Sequence, residues 1–173
     1  MTVECIRFSH QSLFEHIDTF ATLLCDGVNG GAAMSFVAPL SIDDARKYWQ
    51  KVVDTIEQEE MILLAAVKET KIVGSVQLSM PWQPNAPHRA EIQKLLVHST
   101  QRRQGIASLL MREAENTAKS IGRWLLMLDT VRGSGAQYLY EKLGYTTMGI
   151  MPEHFLDSTG VYADTVFFYK RLT

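Results

Sequence analysis

The chain has 173 residues, the usual size of one domain, and we expect a single domain over residues 1–173 with one compact core. Hydrophobic residues make up 46% and charged residues 21% of the chain, which argues against an intrinsically disordered or membrane-embedded protein. A formal net charge of −2 provides no basic field, so we expect no nucleic-acid partner.

Cysteine, histidine and targeting patterns favour a cytoplasmic protein without a bound metal. Cys5 and Cys25 lack the CxxC spacing of metal and redox motifs, so both are expected as free thiols in a reduced compartment. His88, His98 and His154 have no metal-like spacing and are expected on the surface or in loops. The N-terminal residues do not resemble a signal peptide, and no run reaches the roughly 18 apolar residues of a membrane span, so we expect no membrane partner.

The spacing of apolar residues predicts about seven strands and about four helices in the order β-α-α-β-β-β-α-β-α-β-β. The first half contains a strand at Val3–Phe8, a helix capped by Ser9 and ended by Gly27, a helix that begins after Ser41, and strands at Met61–Val67 and Lys71–Leu78. The second half contains a strand from His88, a helix that begins after Gly105 and ends at Gly122, a strand at Trp124–Leu128, a helix at Ala136–Leu143, and strands at Tyr145–Ile150 and Val161–Tyr169.

The loop predicted at Gly27–Pro39 carries large apolar side chains that a loop exposed to water does not need. These side chains are expected either to form a wall of a substrate site or to anchor the loop to the core. The candidate substrate-binding residues are Asn29, Met34 and Phe36 from this loop and Gln93 from the central strand. A second loop is predicted at Pro152–Gly160.

The turn with the sequence QRRQGIA, between the central strand and the following helix, has the form of an anion site. Gly105 allows close approach of the backbone, Ala107 keeps the first helical turn thin, and N–H groups at a helix N-terminus attract phosphate. Neither the Walker pattern nor a GxGxxG fingerprint is present. Taken alone, the turn is more typical of ordinary helix capping.

Two motifs resemble those of the GCN5-related N-acetyltransferases. Residues 91–111, EIQKLLVHSTQRRQGIASLLM, are similar to the central strand and pyrophosphate helix of that family, and residues 136–145, AQYLYEKLGY, resemble its closing helix and next strand. The chain is therefore identified as a member of this family. The resemblance implies a single-domain acyl-CoA N-acyltransferase fold of the α/β (α+β) class, with a mixed, mostly antiparallel sheet flanked by helices.

The resemblance also implies that acetyl-CoA is the acetyl donor. The diphosphate would be bound by the turn, mainly through backbone N–H groups with Arg102 as an auxiliary side chain, over Arg102, Arg103, Gln104, Gly105, Ile106, Ala107 and Ser108. The pantetheine arm would lie along Leu95, Leu96 and Val97. Many members have an asparagine where this chain has Gly133, so that contact is expected to be either missing or replaced by Ser134.

Acyl transfer to an amine needs a base for the amine and an acid for the leaving thiolate. Strand alternation is expected to place Glu91 and Gln93 on one face with Leu95 and Val97, near the acyl group, which makes Glu91 the preferred general base. A solvated strand carboxylate is the alternative role for Glu91.

Two further residues complete the expected chemistry. Asp129, at the predicted end of its strand, lies where the resemblance implies that the amine enters, and it would bind or deprotonate the amine; capping the next turn is its alternative role. Tyr140 matches the family tyrosine that acts as general acid, and packing in its helix is the alternative.

The sequence thus predicts an N-acetyltransferase that acetylates the amine of a small molecule, because the apolar loop indicates a closed pocket. Two alternatives stay open: a protein or peptide N-acetyltransferase, and a non-catalytic acyl-CoA sensor built on the same fold. Neither the identity of the acceptor nor the choice between a monomer and a homodimer follows from these residues.

Overall fold

The computed structural model describes residues 2–32, 34–157 and 160–173. In chain order the elements are β1 (Val3–Phe8), α1 (His10–Glu15), α2 (Ile17–Asn29), α3 (Ile42–Glu57), β2 (Met61–Lys68), β3 (Lys71–Ser79), β4 (Arg89–Val97), α4 (Ile106–Ser120), β5 (Leu125–Val131), α5 (Gly135–Lys142), β6 (Thr146–Leu156) and β7 (Tyr162–Arg171). None of the helices in these ranges has the length and apolar character needed to cross a membrane.

The strands form one seven-stranded sheet in the order β1-β2-β3-β4-β5-β7-β6. Neighbouring strands are antiparallel except β4 and β5, which are parallel, so the predicted mixed and mostly antiparallel sheet is confirmed. The parallel pairing runs only from Arg89↔Leu125 to Glu91↔Met127. Beyond that point β4 and β5 separate, and a gap opens in the middle of the sheet.

Helices cover both faces of the sheet and create two cores. One face packs against α4, whose buried stripe includes Leu110 and Met111, as the predicted helical spacing requires. The other face packs against α1, α2 and α3, with Phe20 and Trp49 fully buried and their rings 4.9 Å apart. Removing a buried aromatic ring of this kind costs about 3–5 kcal/mol of stability, so these cores hold the gap between β4 and β5 in a fixed frame.

The first helical region differs from the prediction in two ways. The helix is interrupted at His16, whose Nδ1 lies 2.9 Å from the Ser12 carbonyl oxygen and whose ring packs edge-on against Phe8, so five helices form where about four were expected. Gly27 does not end α2, which continues to Asn29. A Cβ at Gly27 would lie 2.7 Å from Leu96 Cδ2, so this glycine permits close packing of α2 on β4.

The last strands are longer than predicted. β5 continues to Val131 because its residues pair with β7 along their whole length, so Asp129 lies within the strand and not at its end. β6 continues to Leu156, over most of the loop predicted at residues 152–160, and its pairing with β7 tolerates Pro152 because β6 is the edge strand and bulges there. Ala33, Ser158 and Thr159 of the two predicted loops lie outside the described residues.

Candidate active site

The turn that joins β4 to α4 presents unpaired backbone N–H groups. Gly105 is the N-cap of α4 and has a left-handed φ of 81°, and Arg103 has a φ of 61°. Within the described residues, the N–H groups of residues 102–108 donate to no protein acceptor. Such groups at a helix N-terminus attract anions, because the helix dipole adds to their positive charge. The turn can therefore hold phosphate oxygens.

The side chains of this turn differ in their availability to a ligand. Arg102 lines the cavity described below, and its Nε donates to the Val97 carbonyl oxygen at 3.2 Å. Gln104 is held away by Lys68, whose Nζ donates to Gln104 Oε1 at 3.2 Å. Ile106 is buried in the α4 core, so it offers a ligand its backbone and not its side chain. Backbone groups, with Arg102 beside them, therefore make up the ligand-facing part of the turn.

A bulge in β4 changes which side chains face the site. Ser75 pairs with Leu96 and Gln77 with Gln93, so Lys94 and Leu95 together oppose one residue of β3, and Lys94 has a positive φ of 50°. An extra residue reverses the alternation of every side chain beyond it. The prediction that Glu91 and Gln93 share a face with Leu95 and Val97 is therefore wrong.

The two faces of β4 can be assigned from its core contacts. Ala90 and Ile92, before the bulge, pack on the α4 side together with Leu95 and Val97 beyond it. Leu96 packs on the opposite side, against α2. By alternation, Glu91 and Gln93 also face this opposite side. On β5, Leu126 and Leu128 pack on the α4 side, so Asp129 faces the same side as Glu91.

A cavity of about 620 Å³ lies at the gap between β4 and β5 and brings the three predicted catalytic residues together. Its lining consists of Gly30, Gly31, Ala32, Met34, Ser35, Glu91, Ile92, Gln93, Lys94, Leu95, Arg102, Asp129, Thr130, Val131, Ser134, Gly135, Ala136 and Tyr140. Tyr140 comes from α5, which packs on the α4 side, whereas Glu91 and Asp129 come from the opposite side. The cavity therefore passes through the sheet, and groups from both faces meet in it.

A second cavity of about 460 Å³ continues from the first. The residues that line both are Gly31, Ala32, Ser35, Asp129, Thr130 and Val131. The second cavity adds Phe36 and His154. Asp129 therefore stands where the two spaces join, and we call the second space, with the adjoining Glu91, Lys94 and Asp129, the acceptor side.

Nine predicted site residues do not line these cavities: Asn29, Leu96, Val97, Arg103, Gln104, Gly105, Ile106, Ala107 and Ser108. The side-chain amide of Asn29 binds the backbone of Leu40: its oxygen accepts from the Leu40 N–H at 2.7 Å, and its nitrogen donates to the Leu40 carbonyl oxygen at 3.3 Å. These two bonds close the loop of residues 30–40. The side chains of Leu96 and Val97 lie in the two cores. For Leu96 and Val97 the part near the cavity is backbone, on the strand edge that no longer pairs with β5.

Tyr140 is held in α5 with its ring in the core. Its ring centroid lies 5.9 Å from that of Tyr145 and 6.1 Å from that of Phe168. Burial, reinforced by the Asp129 carboxylate, raises the pKa of the Tyr140 hydroxyl well above its ordinary value. The hydroxyl is therefore protonated at neutral pH and can act as a donor.

Ser134 begins the helix that carries Tyr140. Its hydroxyl accepts from the Gln137 N–H at 3.2 Å as the N-cap of α5, and it lies 3.2 Å from Thr130 Oγ1. The residue lines the cavity, but its hydroxyl already serves as the N-cap of the helix. Gly133, the residue before Ser134, has a left-handed φ of 76° in the turn that precedes α5. An asparagine could adopt this conformation as well.

Asp129 is open to the cavity and yet surrounded by protein. Burial raises the pKa of its carboxyl above the ordinary value, and the nearby His154 and Lys94 offset part of this shift. The sequence predicts His154 on the surface or in a loop. The residue is exposed, but it lies in β6. Its Nδ1 is 3.0 Å from Thr165 Oγ1, and its ring packs against Phe167. The extension of β6 thus brings a histidine to the acceptor side.

Lys94 is a site residue that the sequence patterns do not indicate. Its Nζ donates to Ser35 Oγ at 3.2 Å and lies 5.8 Å and 5.9 Å from the ring centroids of Phe36 and Tyr48. A lysine in a strand is normally solvated, and the bulge that turns Lys94 toward the cavity leaves no mark in the apolar pattern.

The fold thus combines a turn whose unpaired backbone N–H groups suit an anion with a cavity lined by the carboxyl groups of Glu91 and Asp129 and by Tyr140. The sequence model of the acetyltransferase (GNAT) family matches residues 32–145, more than half of the chain, and the protein belongs to this family. The family expected from the two motifs is thereby confirmed.

Solved structures of similar fold span essentially the whole chain. An N-acetyltransferase from Staphylococcus aureus Mu50 has a TM-score of 0.83 at 17% identity, with 100% of both chains covered. The protein yncA from Salmonella typhimurium, solved with its cofactor acetyl-CoA, has a TM-score of 0.81 at 13% identity, with 100% of this chain and 95% of yncA covered. PaiA N-acetyltransferase from Thermoplasma acidophilum, in complex with coenzyme A, has a TM-score of 0.72 at 15% identity, with 99% of each chain covered. The predicted acyltransferase fold is confirmed.

Proposed function

We propose that the protein transfers the acetyl group of acetyl-CoA to the amine of a small molecule by direct attack. One observation carries this proposal: Tyr140 from one face of the sheet and Glu91 and Asp129 from the other line the same cavity. A nucleophile approaching from one face and a leaving group departing toward the other would each meet a suitable proton-transfer group.

The residues present fit the donor. The unpaired N–H groups of residues 102–108, with Arg102, suit a diphosphate, and the unpaired edge of β4 beyond Glu91 suits the amide groups of a pantetheine arm. The yncA and PaiA structures contain acetyl-CoA and coenzyme A respectively, which supports this assignment. Acetyl-CoA supplies the acetyl group as an activated thioester.

Glu91 and Asp129 are proposed to prepare the acceptor amine. Attack requires a neutral amine, and a carboxylate with a raised pKa is a stronger proton acceptor than an ordinary one. The raised pKa of Asp129, and its place at the junction of the two cavities, support its taking part together with Glu91, which the sequence favours.

Tyr140 is proposed to return a proton to the thiolate that leaves. A hydroxyl whose pKa is raised stays protonated, so it can hydrogen-bond to the thiolate as negative charge develops on sulfur. Because this hydroxyl is a weaker acid than a thiol, the proton that it gives up is regained from solvent once coenzyme A has formed. Tyr145 and Phe168 hold the ring in place, which fixes the donor before the reaction begins.

A small acceptor is favoured over a peptide by the limited space on the acceptor side. Three segments, VNGGAAMSF, RAEIQKLLV and LDTVRGSGA, also resemble those of the tabtoxin-resistance acetyltransferase, and on this resemblance we propose detoxification of a toxin or antibiotic as the physiological role. A peptide acceptor would need an open groove, whereas the second cavity has a volume of about 460 Å³.

The first test is binding of the donor. Acetyl-CoA at about 100 times its Kd stabilises the native state by about 2.7 kcal/mol, so a clear rise in the melting temperature is expected. The second test is the release of coenzyme A thiol with a panel of small amines and peptides. No thermal shift would refute the donor assignment, and a thermal shift without thiol release from any amine would favour the acyl-CoA sensor. Faster turnover of peptides than of small amines would replace the proposed acceptor class.

A further inference from the structure

Lys94 has no part in the proposed acid–base chemistry, yet it occupies the acceptor side. The position of Lys94 costs free energy in two ways. A positive φ of 50° on a residue with a side chain is a strained conformation, and a half-buried ammonium group loses part of its hydration. Strain and desolvation of this kind are typical of functional positions.

The ammonium group of Lys94 has few partners for the cost of its burial. Among the described residues it makes no ion pair within 4.0 Å, and its one hydrogen bond is to the neutral hydroxyl of Ser35. Burial lowers its pKa, while Asp129 and Glu91 act in the opposite direction from a greater distance. An ammonium group carries three N–H donors, so hydrogen-bonding capacity is left for a ligand.

The residues around Lys94 leave the remaining N–H donors of its ammonium group facing the cavity. The rings of Phe36 and Tyr48 cover part of the ammonium group, and the Tyr48 hydroxyl donates to Gln77 Oε1 at 2.8 Å. Burial raises the pKa of Tyr48 to about 12, so this hydroxyl does not neutralise the lysine by ionising. Ser35, the partner of Lys94, lines both cavities together with Asp129.

We infer that Lys94 and Ser35 form an anion subsite for the acceptor, and that the acceptor is an amine carrying a carboxylate, as in an amino acid. This inference rests on the proposed function. Charges of both signs line one cavity, with the carboxylates of Glu91 and Asp129 beside the ammonium group of Lys94. A zwitterionic acceptor complements this arrangement, its amine toward the carboxylates and its own carboxylate toward Lys94.

The charge of the subsite selects a carboxylate over a phosphate. One ammonium group and one hydroxyl match a single negative charge, and the two carboxylates nearby repel a doubly charged group. Arg102, the other cation in the cavity lining, lies in the turn assigned to the donor diphosphate. Lys94 is therefore the specificity-determining cation of the acceptor side.

The test compares L-amino acids with their carboxamides as acceptors, with thiol release as the readout. Converting the carboxylate to a carboxamide also lowers the pKa of the amine. The measured quantity is therefore the preference for acid over amide, which is the ratio of kcat/KM for an amino acid to kcat/KM for its carboxamide. Comparing this ratio between wild type and Lys94→Met cancels the effect of the amine pKa. We expect Lys94→Met to reduce the preference by about 10- to 100-fold, through KM for the amino acids and with kcat nearly unchanged, as for the loss of a charged hydrogen-bonding partner.

Two variants serve as controls. Lys94→Arg keeps the charge and is expected to keep most of the preference. Lys47→Met removes an exposed lysine of α3, paired with Asp44, and is expected to change neither KM nor preference. Thermal unfolding of each variant checks that the fold is intact.

Two results would overturn the inference while leaving the proposed function in place: wild type acetylates amines without favouring those with a carboxylate, or Lys94→Met slows amino acids and carboxamides equally. Acetylation of no amine at all would instead defeat the proposed function, and the inference with it.

Discussion

The two sides of the cavity are built from different parts of the chain. The part proposed to bind acetyl-CoA, which we call the donor side, is mostly backbone: the N–H groups of residues 102–108, of which Arg102 lines the cavity, and the edge of β4 that has parted from β5. The acceptor side is mostly side chains, from the loop before α3, from β4, from β5 and from β6. Backbone recognition tolerates most substitutions that keep the local conformation, whereas side-chain recognition changes with one residue. A conserved donor and a variable acceptor can therefore share one fold.

The largest effect is expected at Tyr140, where the two sides meet. Tyr140→Phe removes the proposed proton donor and keeps the ring, so kcat should fall by about 10²- to 10⁴-fold, the usual contribution of a general acid. Acetyl-CoA binding, measured by titration calorimetry, should stay unchanged. Tyr138→Phe is the matched control, because Tyr138 lies on the same helix and is 65% exposed. Equal turnover of Tyr140→Phe and Tyr138→Phe would remove Tyr140 from the chemistry.

Asp129→Asn should act mainly on the acceptor side, and it also removes the carboxylate that reinforces the raised pKa of Tyr140. In its proposed role the Asp129 carboxylate is deprotonated, so kcat/KM should fall as the pH drops through its pKa. Burial moves that pKa upward, against the opposing influence of His154 and Lys94. Asn cannot accept the proton, so a loss of about 10²-fold and a flatter acidic limb of the pH profile are expected. Asp18→Asn, at an exposed ion pair, should leave the profile unchanged. An acidic limb that survives in Asp129→Asn would assign it to another group, Glu91 first.

Gly105→Ala should act on the donor side alone. A Cβ at Gly105 meets no atom within 4 Å, so the cost is conformational, about 1–2 kcal/mol for a left-handed residue, and KM for acetyl-CoA should rise up to about tenfold. Gly122→Ala is matched in conformation, with a φ of 76° and no atom within 4 Å, but it lies at the other end of α4. Both variants should melt at lower temperature, and only Gly105→Ala should change KM. A change of acceptor preference in Gly105→Ala would break the separation of the two sides.

The smallest effect is expected at Ser134. Its hydroxyl caps α5, so Ser134→Ala should lower stability by about 1 kcal/mol, as the loss of an N-cap usually does. Ser41→Ala removes the equivalent cap of α3 away from the cavity and gives the reference loss in melting temperature. KM for acetyl-CoA in Ser134→Ala, relative to Ser41→Ala, then measures any donor contact beyond capping. A KM equal to that of Ser41→Ala would show that Ser134 does not replace the asparagine contact of other family members.

The difference between the two sides also explains what could be predicted from the sequence. The donor side is encoded locally, because Gly105 and the residues around it specify the turn and the start of α4 wherever the rest of the chain lies. The seven strands and their order along the chain follow from apolar patterns in the same way. Residues such as Glu91, Asp129 and Tyr140 could be named because they lie in or beside these motifs, and their roles stay predictions.

The acceptor side depends on contacts between distant segments, which no local pattern records. His154 reaches the site because pairing with β7 extends β6 through a segment with loop-like composition. Lys94 reaches the site because β4 contains an extra residue. Apolar residues lie on both sides of this bulge, so the sequence does not show that the side chains change face there. Asn29 was placed in the site by its glycine-rich neighbourhood, whereas its amide is taken up by Leu40, eleven residues away.

The extra residue in β4 constrains how the protein can evolve. Substitutions in the loop before α3 or in β6 alter one contact at a time, so they can retune the choice of acceptor in small steps. Deleting one residue at Lys94 would instead turn Leu95 and Val97 away from the core on the α4 side, and Leu96 away from the core on the opposite side. Such a deletion would therefore destabilise the fold around the site as well as change its side chains. New acceptor specificities should therefore arise by substitution, while the length of β4 stays fixed.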